Sequence, residues 1–265
     1  MSYRYLTVTR PVPNVAMVAM NRPEAANAIN RAMLAELADA LRSIAADERV
    51  HAWILTGSPR TDGRLWFSAG ADMKEALKPD YDGPRVTGRE VCDLIDDMLT
   101  PSIALIGGVC TTGALELAMA CDVRIVATGA ELSDYHLART GMAIGAWGAA
   151  ARLSRLVGVD KAKEILLLSA TMTGEEAVRI GLANRVVPDD ALITEGLAIA
   201  STIAAMPRKG VRTTLGYLAM QAGLSKHEAI QLADRTPELM GVKLRPFGDA
   251  ASRFFDNRTS APEPR

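Results

Sequence analysis

The sequence has no window of about 18 uninterrupted apolar residues, and Met1-Ser2-Tyr3-Arg4-Tyr5 is not a basic head followed by an apolar stretch. Neither a membrane span nor a secretory leader is expected, which predicts a soluble, cytoplasmic protein. Cysteine is scarce. Cys92, Cys110 and Cys121 are odd in number and lack CxxC spacing, so neither a disulfide framework nor a zinc knuckle is indicated and buried, reduced thiols are expected. The three histidines, His51, His136 and His227, are too scattered to suggest a metal cluster. There is no excess charge of either sign: 30 Lys and Arg against 31 Asp and Glu leave a net charge of −1, no footprint for nucleic acid. Also missing are a GxxxxGK[ST] phosphate loop, a GxSxG elbow, an HExxH helix and a GxGxxG turn after a strand. Nucleotide hydrolysis, hydrolase-elbow, zincin and Rossmann chemistry therefore lack support.

What is present describes a well-filled globular chain. Its 265 residues are 49% hydrophobic and 23% charged, too apolar for disorder and long enough for one elaborated domain or a domain with an appendage. Val15 to Met20 reads as a strand stopped by Asn21-Arg22-Pro23. From Ala32 to Ala46, apolar residues at spacings of three and four predict an amphipathic helix. Further strands are expected over Ala52–Thr56, Ser102–Ile106 and Asp122–Ala127, with a short helix over Gly113–Ala120. Strand and helix alternate, which argues for an α/β core with parallel strands. Beyond Trp147 the chain reads as helices: Ala149–Val157, Lys161–Leu168, Gly174–Ile180, Ala191–Ala205, Arg208–Ala222 and Lys226–Met240. Pro79 to Gly88 looks like a mobile surface loop, and Thr259 to Arg265 like a frayed tail.

Two glycine-bearing turns stand out. Phe67-Ser68-Ala69-Gly70-Ala71-Asp72-Met73-Lys74 has small residues that let a ligand approach the backbone, with a helix start at Asp72. Gly107-Gly108-Val109-Cys110-Thr111-Thr112-Gly113-Ala114-Leu115-Glu116 leaves a buried strand and enters a helix. Orphan N–H donors at such turns suit a developing oxyanion, and tight packing of small residues is the competing explanation. Glu116 falls in the first turn of that helix, on the side of the turn's donors. An exposed acid that merely stabilises the helix dipole is its alternative.

Five strings, in order, carry a resemblance: Asn21-Arg22-Pro23-Glu24-Ala25-Ala26-Asn27-Ala28, Phe67 to Asp72, Glu116-Leu117-Ala118-Met119-Ala120-Cys121-Asp122, Arg152 to Gly158, and Gly181 to Pro188. Together they resemble the crotonase superfamily, the enoyl-CoA hydratases and isomerases. The resemblance implies an α/β spiral of ββα units over residues 1–195 and a helical trimerisation region over 196–258, with 259–265 as tail. It implies a homotrimer or dimer of trimers that acts on acyl-CoA thioesters, with coenzyme A as part of the substrate, no permanent cofactor, and neither membrane nor nucleic-acid partner. The oxyanion donors map onto the N–H groups of Ala71 and Gly113, and the first catalytic glutamate onto Glu116. The coenzyme A contacts map onto the loop with Glu24, Ala26 and Ala28, onto Ala69, Gly70, Asp72 and Met73 of the first turn, and onto Lys74 near the nucleotide end. Phe254 and Arg258 resemble residues that cover coenzyme A from the tail.

One departure is chemical. Hydratases of the superfamily place a second glutamate in a Pro-Glu pair after a strand, and the matching segment here is Ser133-Asp134-Tyr135-His136-Leu137-Ala138-Arg139. Either His136 or Leu137 takes that position, with Asp134 and Tyr135 close by. Histidine transfers protons near neutral pH, and a structural hydrogen bond at a strand end is its competing role. For Trp147 core packing is the expectation. The resemblance leaves several reactions open: water addition, double-bond isomerisation, decarboxylation, hydrolysis, or a silent acyl-CoA-binding subunit.

Overall fold

The computed structural model describes residues 3–141, 144–242 and 251–252. Phe254 and Arg258 lie outside them. The chain divides by its contacts into a unit up to Arg208 and a second from Lys209 on.

The first unit opens with a hairpin of β1 (Leu6–Val12) and β2 (Val15–Met20), turned at Pro13-Asn14 with Asn14 at φ 61°. After β2 come α1 (Arg31–Ala46), β3 (Ala52–Gly57), the single turn α2 (Met73–Ala76) and α3 (Gly88–Asp96). Then follow β4 (Ser102–Ile106), β5 (Val109–Thr111), α4 (Gly113–Ala120), β6 (Val123–Ala127) and β7 (Glu131–Ser133). A π-helical turn over His136–Thr140 precedes α5 (Ala149–Val157), α6 (Val159–Leu168), β8 (Met172–Thr173), α7 (Gly174–Arg179), β9 (Arg185–Val187) and α8 (Leu192–Ala204).

The six-stranded sheet runs β1-β2-β3-β4-β6-β9, parallel from β2 onward. Strands covered on both faces read as continuous apolar runs rather than alternating ones. In β4, Ile103, Leu105 and Ile106 are wholly buried, worth about 1.5–3 kcal/mol each. A second ladder lies beside the first: Ile29 bridges Ala71, Ser68 bridges Cys110, and β5, β7 and β8 pair in a three-stranded sheet. Each turn of the chain thus gives one strand to the large sheet, one short segment to the second ladder, and then a helix. This is the spiral of ββα units.

The helices form where their ends are satisfied. Asn30 caps α1, its Oδ1 accepting from Met33 N at 2.8 Å, and Met33, Leu37, Leu41 and Ile44 point into the core. Thr87 and Glu90 form a reciprocal capping box that starts α3, a helix the apolar pattern did not announce, and the loop before it ends there. All three thiols are free and buried as expected, and burial pushes their pKa values up. The second unit holds most of α9 (Arg208–Gln221) and α10 (Lys226–Leu239), the latter started by a Ser225–Glu228 capping box; Tyr217 Oη donates to Ala229 O at 3.0 Å. No described helix is long and apolar enough to cross a membrane.

Candidate active site

Three segments that are distant in sequence are stitched together by their backbones. Ala69 N donates to Ala26 O (3.0 Å), Ile29 N to Gly70 O (2.8 Å) and Asp72 N to Ile29 O (2.9 Å), which joins the Glu24–Ala28 loop to the first glycine turn. Ser68 N to Val109 O (3.0 Å), Thr111 N to Ser68 O (3.2 Å) and Thr111 Oγ1 to Ala69 O (3.0 Å) join that turn to the second. The two turns touch. A Cβ on Gly70, at φ +86°, would stand 2.8 Å from Thr111 O and 3.4 Å from Gly113 N, so this position requires glycine. Thr112, the residue before Gly113, holds φ 48° and ψ −116°, a strained backbone for a β-branched residue at the entry to α4. Among the described residues neither Ala71 N nor Gly113 N donates to a protein acceptor.

A cavity of about 660 Å³ extends to one side of Ala71, lined by Arg22, Arg60, Lys74 and Lys78 together with Glu24, Ala26, Ala28, Asp72 and Met73. A second, of about 460 Å³, lies on the other side, lined by Ile29, Leu34, Ala76, Pro84, Gly88 and Trp147 among others. They share Ala71, Asp72, Met73 and Glu75. One hollow is cation-bearing and the other mostly apolar, and Ala71 lines both. Asp72 itself is occupied structurally: it caps α2 through Lys74 N (3.1 Å) and Glu75 N (3.2 Å) and pairs with Arg22 Nη1 at 2.9 Å. Ala69 and Gly70 lie beneath the shared wall and line neither cavity.

Glu116 is completely buried, not an exposed first-turn acid. Its Oε1 accepts from Trp147 N and Ala149 N, both at 2.9 Å, and its Oε2 has no hydrogen-bond partner among the described residues. Facing Oε2 at 3.4 Å is His136 Nε2, while His136 Nδ1 lies 2.9 Å from Asp134 Oδ2. Burial raises the pKa of Glu116, against the opposing pull of His136 and the two amides. The hydrogen bond to Asp134 raises that of His136, desolvation opposing it. His136, not Leu137, reaches Glu116; Leu137 is half-buried in the π-helical turn and lines neither cavity.

Sequence reasoning underrated two residues. Asp134, which the sequence places only close by, stands two residues before His136, the spacing of an Asx turn, and its Oδ1 does accept from His136 N at 3.0 Å. Trp147 packs against the core as expected, and it does more. Its half-buried indole walls the apolar cavity, and a Cβ on Gly113 would stand 2.5 Å from the ring. No local pattern announces that contact. No group of three or more His, Cys, Asp or Glu among the described residues is arranged to hold a metal ion.

A spiral of ββα units that sets two backbone turns beside a buried glutamate, under paired cationic and apolar hollows, is the crotonase architecture. The description of the enoyl-CoA hydratase/isomerase family matches residues 12–238, and the chain belongs to that family. It is 36% identical over 203 residues to a crotonyl-CoA hydratase from Syntrophomonas wolfei, covering 75% of each protein. Its fold matches an enoyl-CoA hydratase from Bacillus anthracis with a TM-score of 0.82, at 30% identity over 89% of this chain and 90% of that one. A monofunctional enoyl CoA isomerase from M. smegmatis matches with a TM-score of 0.72, at 30% identity over 86% and 99% of the two chains.

Proposed function

We propose that the protein is an acyl-CoA lyase that adds water to a 2-enoyl-CoA thioester through an oxyanion-stabilised enolate. The observation that carries this reading is the buried Glu116 carboxylate, with Oε1 anchored by two amides and Oε2 left open beside His136. The N–H groups of Ala71 and Gly113 receive the thioester oxygen. As the enolate forms, negative charge gathers there, and donors fixed in advance stabilise it by about 3 kcal/mol each. Coenzyme A occupies the cation-bearing cavity, with the Lys74 ammonium as a point charge toward phosphate, and the acyl chain enters the apolar one. Glu116 positions water and moves its proton, and His136 stands where the hydratases carry their second glutamate. Exposed Leu218, Met220, Leu224 and Ile230 on and after α9 and on α10 suit contact with further copies, in a trimer or dimer of trimers.

A panel of 2-enoyl-CoA thioesters tests the reaction. Loss of the conjugated absorbance with a product heavier by one water is expected, and Glu116→Gln should lower kcat by about 10² to 10⁴. An unchanged mass signals isomerisation, and loss of carbon dioxide signals decarboxylation. Coenzyme A binding without turnover of any thioester, indifferent to Glu116→Gln, would leave a silent binding subunit.

A further inference from the structure

Glu116 Oε1 is committed to Trp147 N and Ala149 N, so proton exchange at this carboxylate falls to Oε2. The group facing Oε2 is His136 Nε2. The other ring nitrogen lies 3.1 and 2.9 Å from the two oxygens of Asp134, a side chain that is itself 2% exposed. A buried carboxylate only accepts, so Nδ1 carries the hydrogen and Nε2 is the nitrogen left to gain and lose a proton. Asp134 Oδ1 also takes the His136 backbone N–H, which fixes the ring relative to its own main chain.

We propose that Asp134 is a positioning residue that orients His136 so that Glu116 Oε2 and His136 Nε2 work as one proton-handling pair, the imidazole standing in for a second carboxylate. The charged groups acting on His136 are Asp134 and Glu116; α6, packed against the π-helical turn, brings none to bear. Beside Glu116, α3 presents the Cys92 thiol, which burial keeps neutral, and residues 141–144 contain no titratable side chain. Donation of the Nδ1–H to Asp134 favours the imidazolium, and in the proposed cycle the pair starts as a carboxylate and an imidazolium.

On the hydratase reading, on which this assignment rests, the cycle closes without any further reagent. Water oxygen bonds to Cβ while one water proton passes to Glu116 Oε2, and the π electrons of the double bond move onto the thioester oxygen. The enolate collapses as Cα takes the proton from His136 Nε2. Transfer of the Oε2 proton to Nε2 restores the resting state.

Asp134→Asn is the test. The amide keeps an acceptor for the His136 backbone but donates to Nδ1, which forces the neutral ring to carry its proton on Nε2. With a 2-enoyl-CoA thioester, kcat should fall about 100-fold while KM stays within about twofold. In nitrogen NMR of the substrate-free enzyme, the His136 signal, assigned by its loss in His136→Gln, should titrate above the ordinary histidine value of about 6.5 and drop in Asp134→Asn. On the His136→Gln background, Asp134→Asn should cost nothing more. An equal cost on that background, or an unmoved His136 titration, overturns the proposal. If Asp134→Asn does not fold, wild-type His136 decides it alone: an Nδ1 without its hydrogen overturns the assignment. A wild type inert toward every enoyl thioester defeats the hydratase reading, while the NMR result still decides the role of Asp134.

Discussion

Gly113→Ala probes the contact between donor turn and cavity wall. The added Cβ would stand 2.5, 2.8 and 3.0 Å from three carbons of the Trp147 indole. Carbon atoms rest at about 3.5–4.0 Å, so the ring or the start of α4 must give way by about 1 Å. The ring has little room to retreat, because a Cβ at Gly88 would already stand 2.0 Å from it. Its main chain is held as well: Trp147 N bonds Glu116 Oε1, and Trp147 O accepts from Arg152 Nη1 at 2.6 Å. Overpacking of this kind costs about 1–3 kcal/mol. A displacement of about 1 Å at a positioning group costs about 100-fold in rate. Urea unfolding and enoyl-CoA hydration kinetics measure the two effects separately. Trp147→Phe, which shortens the ring system, should restore stability to Gly113→Ala, with a coupling of about 0.5–3 kcal/mol. If Gly113→Ala leaves both unfolding and turnover unchanged, the packed donor turn described here is wrong.

Two further outcomes follow from the site and the helical unit. The folded state raises the pKa of His136, through Asp134, and that of Glu116, through burial, so both hold protons that the unfolded chain releases earlier. The stability they contribute is present below the unfolded-state values and lost as pH rises through the folded ones, so the wild-type urea midpoint should fall from about pH 5 to pH 8 relative to a Glu116→Gln/His136→Gln double variant. Ile230 on α10 is 57% exposed, and Ile230→Asp should reduce the mass measured by light scattering if that face joins copies of the chain.

The elements that drive the fold by burial were legible. β2 and β4 run over the residues expected, as do α4 and α5, because a buried strand or an amphipathic helix repeats its apolar signal over several residues. The second ladder was not. β7 and β8 have three and two residues, and the Ile29–Ala71 and Ser68–Cys110 bridges are single pairs, too short for any period to register. At the site, Glu116 and the two glycine turns were marked by residue type. The partners of Glu116 were hidden because they are main-chain amides of Trp147 and Ala149, whose donors carry no side-chain signature. His136 over Leu137 was decided by the π-helical turn, which no spacing rule anticipates.

Arg124 gives α4 an unusual foundation. Buried and with no carboxylate bonded to it among the described residues, its guanidinium spends itself on the main-chain oxygens of Ala118, Met119 and Cys121 at the far end of the helix and on that of Leu182. Bolted there and wedged by an indole at its start, α4 behaves as an anvil. On the proposed reading, accommodation of acyl chains of different shapes then falls to the bank around exposed Tyr81 and half-buried Pro84, so that tolerance for substrates can change over evolution without moving the reacting groups.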